Sequence, residues 1–117
     1  MVYNPPPTGH VVVILDNGTT AMTGLQEHPA TGRTLDHKKT GRLVVEDLAK
    51  AIGINSVVIV DPATDPDGFE KLLTDRLASG DLSLIIARRP CLLAAGKIKE
   101  YERQAAEVAG SCGSGCK

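Results

Sequence analysis

The sequence predicts an α/β fold: a parallel sheet with helices on both faces, in three layers. Three observations carry that reading. Residues 10–15, 56–60 and 82–87 are short aliphatic and β-branched runs with no regular polar alternation, which is how strands buried on both faces read. The segments between them are long enough for the helical crossovers that parallel pairing requires. Hydrophobic residues make up 42% of the chain, yet aromatics are 3% and Trp is absent. A core built from Val, Ile, Leu and Ala suits a buried parallel sheet better than an aromatic-rich sandwich.

Each element follows in order. Pro5-Pro6-Pro7 and Thr8-Gly9 exclude a helix at the amino end. The first strand, from His10, stops at Asp16-Asn17-Gly18, a strong turn signal. Residues 17–42 hold four glycines, several threonines and Pro29, with no sustained period. Irregular segments of that length are uncommon in compact domains and are often functional. A helix is expected over 44–52, with Leu48, Ala51 and Ile52 on its inner face and Gly53 closing it. The second strand, 56–60, closes at Asp61-Pro62. Asp67 is expected to cap a helix running to about 79, with Phe69, Leu72, Leu73 and Leu77 in one stripe and Gly80 beyond its end. The third strand stops at Arg88-Arg89-Pro90. A last helix over 97–109 places Ile98, Tyr101, Ala105 and Val108 inward. Residues 1–109 therefore read as one partial domain and 110–117 as a flexible Gly/Ser/Cys tail. The wholly apolar first strand reads as a central one, and three strands make a thin sheet, so further strands are expected from elsewhere.

The charge balance, 13 basic against 14 acidic residues for a net −1, implies no broad attraction to nucleic acid or anionic membrane. No apolar run approaches the roughly 20 residues needed to span a bilayer. The amino terminus lacks the pattern of a signal peptide, and three cysteines is an odd number. A reducing cytoplasm is the expected compartment.

In open α/β sheets ligands bind beyond the carboxyl ends of the strands. Here those ends are Asp16-Asn17, Asp61-Pro62 and Arg88-Arg89. The side-chain carbonyl of Asn17 could ligate a hard cation such as magnesium, and the backbone carbonyl of Thr19 could add a second oxygen. Glycines in the loop would let backbone amides approach a phosphate. The plainer alternative for Asp16-Asn17-Gly18 is a tight turn.

The longer string Val13-Ile14-Leu15-Asp16-Asn17-Gly18-Thr19-Thr20-Ala21-Met22-Thr23-Gly24-Leu25-Gln26 resembles the second half of the thiamine-diphosphate motif in 2-oxoacid:ferredoxin oxidoreductases of the indolepyruvate type. His28-Pro29-Ala30-Thr31-Gly32 continues the likeness, with Ala30 where the family has glycine. Ile85-Ile86-Ala87-Arg88-Arg89-Pro90-Cys91 extends it, so the resemblance covers residues 2–92. It implies a partial, Rossmann-like thiamine-diphosphate-binding domain from the alpha subunit. Asn17, by its side chain, and Thr19, by its backbone carbonyl, would hold Mg2+. Thr20, Met22, Thr23 and Gln26 would line the diphosphate or thiazolium region. The implied reaction is oxidative decarboxylation of an aryl 2-oxoacid, with electrons passing to iron–sulfur clusters and ferredoxin and the acyl group to coenzyme A. The implied partners are the remainder of the alpha subunit and a beta subunit, with the clusters elsewhere in the complex.

The Gly-Asp-Gly start of the motif and the glutamate that activates the aminopyrimidine are not in this sequence. A fragment or one piece of a split enzyme, inactive alone, is the expectation. Its rivals are a fragment of a non-oxidative thiamine-dependent decarboxylase, from which Thr-Thr-Ala-Met-Thr-Gly points away, and a non-catalytic remnant that only binds a subunit.

The remaining features have plainer readings. Cys112 and Cys116 are too few to hold a four-iron cluster, which takes four ligands. Cys91 has no evident His base. Arg88 and Arg89 are expected to pair with acids such as Asp61. Arg33, His37, Lys38, Lys39 and Arg42 read as a solvated basic run, and His28 as an exposed loop residue.

Overall fold

The computed structural model describes residues 2–4, 8–20 and 24–111. Its elements are β1 (His10–Asp16), a single 3-10 turn (Pro29–Thr31), α1 (Val45–Ala51), β2 (Ser56–Val60), α2 (Pro66–Ala78), β3 (Leu82–Arg88) and α3 (Ala95–Ser111). The chain divides into two compact units. The first is Met1–Asp16 with Val44–Arg89, and the second is Asn17–Leu43 with Pro90–Lys117.

The first unit is the sheet. Its three strands are parallel in the order β1-β3-β2, with Val12 opposite Leu84, Ile14 opposite Ile86 and Val57 opposite Leu84. The crossover from β1 to β2 and the return from β2 to β3 run in opposite directions. Right-handed connections then place α1 and α2 on opposite faces, as the three-layer reading requires. Beneath α1, Ala49 and Ile54 pack with Leu84 and Ile86, and Val12, Ile14, Val45, Val57 and Leu82 lie against them. On the α2 side the chain entering β1 runs close to the helix end: a Cβ added at Gly9 would collide with the carbonyl of Leu77.

Within these three strands the order makes β3 the middle one, with residues 83–87 all buried. β1 lies at an edge of the described sheet and exposes Val13 and, at 79%, Leu15. The two strands are equally apolar, so composition cannot rank them; only pairing on both sides does.

The helices also shift in detail. In α1 the buried residue is Ala49, while Leu48 and Ile52 stay about half exposed and Ala51 is exposed. Seven residues make barely two turns, and the small Ala49 is what lets the helix approach the sheet. Leu48 and Ile52 instead border an apolar cleft of about 320 Å³ with Val2, Val12 and Ile14. α2 is capped by Asp65, not Asp67: Asp65 Oδ1 accepts from the Gly68 N–H at 2.9 Å. Pro66 takes the first helical position, where its missing N–H costs nothing, and Asp67 falls in the first turn, favourable to the helix dipole. Phe69, Leu72 and Leu73 are half-buried, but Leu77 is 56% exposed.

In the second unit, α3 begins at Ala95 and runs through Ser111. Ala94 and Ile98 are buried and Tyr101 is half-buried. The side chains of Ala105 and Val108, and residues 112–117 with Cys112 and Cys116, lie outside the described residues. The segment 17–42 is less structureless than its sequence suggests. It holds the 3-10 turn and two isolated antiparallel bridges, Thr20–Gln26 and Arg33–Lys39. No described helix is long and apolar enough to cross a membrane.

Candidate functional site

The carboxyl end of the sheet is fixed by charge. Asp16 and Arg88 are register partners at the ends of β1 and β3. Arg88 Nε donates to Asp16 Oδ2 at 2.7 Å, and its Nη1 donates to Glu46 Oε1 of α1 at 2.8 Å. The hydrogen bonds to Glu46 and Asp16 raise the guanidinium's proton affinity further above its usual range. Arg89 donates to both oxygens of Asp61, at 3.2 and 3.1 Å. The Asp61 carboxyl is held below its usual range by the backbone N–H of Ala63 and then by Arg89. Both arginines therefore make the structural pairs expected of strand-exit cations.

Immediately after Asp16 the backbone enters the second unit. Asn17 is exposed, and its Oδ1 accepts from the backbone N–H of Thr19 at 3.2 Å, the local bond of an Asx turn. Gly18, at φ 74°, supplies the left-handed residue inside that turn. The Asn17 carbonyl accepts from the Cys91 N–H at 3.0 Å. Thr19 is 5% exposed. Its hydroxyl donates to the carbonyl of Gln26 at 3.3 Å, and the Thr20 N–H donates to that same carbonyl at 3.1 Å. One oxygen thus closes the loop from both neighbours. The return passes through Gly24 at φ 112° and Leu25 at φ 63°, the latter strained for a residue with a Cβ.

Of the six residues expected at the site, Asn17, Thr19, Thr20 and Gln26 are brought together by this closure. Met22 and Thr23 lie outside the described residues. The tight-turn reading of Asp16-Asn17-Gly18 is realised, but it does not exhaust Asn17. A carbonyl oxygen has two lone pairs, so the Oδ1 of this exposed residue, accepting one N–H from Thr19, has capacity for a second partner. No group of three or more His, Cys, Asp or Glu among the described residues could hold a metal ion. An amide oxygen and a backbone carbonyl are a hard but incomplete donor set. That fits a magnesium ion completed by phosphate oxygens and water.

Beyond Gln26 lies a cluster the sequence does not announce. Glu27, with a 3% exposed side chain, accepts at Oε1 from Arg33 Nε at 2.7 Å and from His37 Nδ1 at 2.9 Å. Burial pushes the Glu27 carboxyl up, but the hydrogen bonds from Arg33 and its other neighbours outweigh that and hold it at about 2. The His37 ring stacks on Tyr101 of α3, centroids 3.6 Å apart. Arg33 is buried and His37 half-buried, which corrects the solvated-run expectation for those two; Lys38, Lys39 and Arg42 are exposed. The only available signal was a lone acid a few residues ahead of the basic run. His28 is half-buried and structural: its Nδ1 accepts from the Ala30 N–H at 3.3 Å and caps the 3-10 turn. Cys91 is a half-buried free thiol.

Comparison with known proteins supplies a family. Residues 8–87 match the thiamine pyrophosphate enzyme, C-terminal TPP binding domain. The chain is 40% identical over 83 residues to the indolepyruvate oxidoreductase subunit IorA of Pyrococcus abyssi, covering 71% of this chain and 12% of the relative. It is 39% identical over 83 residues to the protein of that name from Thermococcus kodakarensis, with the same two coverages, 71% and 12%. The Archaeoglobus fulgidus subunit is 33% identical over 101 residues, 86% of this chain and 16% of the relative. The matched stretch is thus a small part of each relative's length. No solved structure matches the chain.

Proposed function

This chain belongs to the thiamine pyrophosphate enzyme family, as its C-terminal TPP-binding domain, and from that premise we propose that the 17–26 loop is the magnesium- and diphosphate-binding part of a 2-oxoacid:ferredoxin oxidoreductase of the indolepyruvate type. The observation that carries the proposal is the closed loop itself. Gln26 gathers Thr19 and Thr20 on one carbonyl, and the exposed Asn17, the first residue after Asp16, holds its amide oxygen in the Asx turn with Thr19.

In this reading Asn17 Oδ1 and the Thr19 backbone carbonyl hold Mg2+, while Thr20, Met22, Thr23 and Gln26 line the diphosphate and thiazolium region. Thiamine diphosphate, when bound, supplies the electron sink for decarboxylation of a 2-oxoacid. The chain's own part is positional. The Asx turn orients the amide oxygen, and the burial of Thr19 keeps water from loosening the turn. The bonds to Gln26 fix the spacing between metal-side and diphosphate-side residues. The remaining parts of the reading are an aryl 2-oxoacid substrate, an acyl-coenzyme A product, and iron–sulfur clusters elsewhere in the complex. The partners would be the rest of the alpha subunit, a beta subunit, ferredoxin and coenzyme A, in the cytoplasm. Residues 1–109 would be the partial domain and 110–117 its tail.

The deciding experiment is calorimetric titration of Mg2+ and thiamine diphosphate into the chain, alone and assembled with the remaining parts of the enzyme. Binding in the assembly that weakens at least about tenfold in Asn17→Ala, the loss of one charge-assisted contact, supports the proposal. No binding in either setting overturns it and leaves a segment that serves only to join subunits.

A further inference from the structure

We propose that Glu27 is the positioning residue of the 17–26 loop: its carboxylate ties the return of the loop, through Arg33 and His37, to helix α3. The connection is short. Gln26 carries the carbonyl on which Thr19 and Thr20 close, and Glu27 is the next residue. Its Oε1 takes both Arg33 Nε and His37 Nδ1, and both donors reach α3, His37 by ring stacking and Arg33 by a longer ionic contact. His37 stacks within 7° of parallel on Tyr101, and Arg33 Nη1 lies 3.6 Å from Glu102.

Two further features separate this cluster from an ordinary surface ion pair. Glu27 and Arg33 are almost fully buried, with side chains 3% and 6% exposed, and the second carboxylate oxygen is buried with no hydrogen-bond partner among the described residues. Stability alone is poorly served by burying charge in this way. The backbone on either side is strained as well: Leu25 and His37 both sit at positive φ, 63° and 59°. Such conformations persist only where the surroundings over-determine them, and they gather at sites where geometry matters. Glu27 lies between the two in sequence, two residues after Leu25, and its carboxylate holds His37 directly.

Only the cofactor-affinity arm of the test rests on the function proposed above. The first arm is backbone amide exchange in the full 117-residue chain. It is read at Thr20, whose N–H is bonded to Gln26, and at Leu84, Ile85 and Ile86 of β3. In Glu27→Ala, exchange at Thr20 should quicken by at least about tenfold, as the loss of charge-assisted bonds implies. The β3 amides should stay within about twofold of wild type. Glu27→Gln keeps an oxygen acceptor in place without its charge and should restore part of the protection, falling between wild type and Glu27→Ala. Unchanged exchange at Thr20, or equal loss at Thr20 and β3, overturns the proposal.

The second arm measures thiamine diphosphate affinity with Mg2+ in the assembled enzyme, where Glu27→Ala should bind more weakly and Glu27→Gln fall between. If wild type binds no cofactor while Thr20 still responds to Glu27→Ala, the function fails and the positioning role stands. If wild type and Glu27→Ala bind equally well, the positioning role fails and the function stands.

Discussion

Arg88 and Asp16 are joined twice over: they are register partners at the ends of β3 and β1, and their side chains meet at 2.7 Å. The same guanidinium reaches Glu46 of α1 at 2.8 Å. One side chain therefore locks an edge strand, the central strand and a helix at the residue that precedes Asn17. Arg88→Met keeps most of the aliphatic stem and removes both ion pairs. Because the side chain is 30% exposed, solvent moderates the loss, and destabilisation of about 2 kcal/mol is expected. Urea denaturation of the two proteins measures it. An unchanged midpoint would show that the pairs are only surface decoration.

Thr19→Val tests loop closure without changing volume much. The hydroxyl of Thr19 donates to the Gln26 carbonyl beside the Thr20 N–H, so its removal takes one donor from that oxygen and keeps the Thr20 bond. A loss of about 1 kcal/mol is expected from a single neutral hydrogen bond. Faster amide exchange should be confined to residues around 19–26.

Gly9→Ala tests the approach of β1 to α2. The added methyl collides with the Leu77 carbonyl, which is backbone and cannot swing aside. Overpacking of this kind costs about 1–3 kcal/mol, and calorimetry should show a lower Tm. Among the described residues Gly24 has nothing within 4 Å of its Cβ position, and it sits at φ 112°, so the penalty for Gly24→Ala is expected from its backbone conformation.

The pH dependence follows from Glu27. Its carboxyl is lowered from 4.5 to about 2 in the folded chain. The stability it contributes is therefore fully present above 4.5 and is lost as pH falls toward 2. At about 1.36 kcal/mol per unit the contribution is on the order of 3 kcal/mol. Urea midpoints recorded between neutral pH and pH 2 should fall steeply at the acid end, and Glu27→Gln should flatten that fall. Asp61 shifts in the same direction, but its side chain is 37% exposed, so its part in the acid limb is small.

By itself the sequence determined the fold class, the three strands and the position of the loop. These rest on local signals: unbroken aliphatic runs, turn residues at their ends, and helix-length segments between. It also placed Asn17, Thr19, Thr20 and Gln26 in one segment, because residues so near in the chain need no tertiary contact to share a site. What only the tertiary structure decided are properties of partners distant in sequence. β1 and β3 are equally apolar, and strand order alone made β3 the buried centre. Asp65 rather than Asp67 caps α2 because Pro66 takes the first helical position. Arg33 and His37 look like any solvated basic run until Glu27 and Tyr101 are seen beside them. A charge is buried or exposed according to what faces it, and that is set by packing rather than by the residue's own neighbours in the chain.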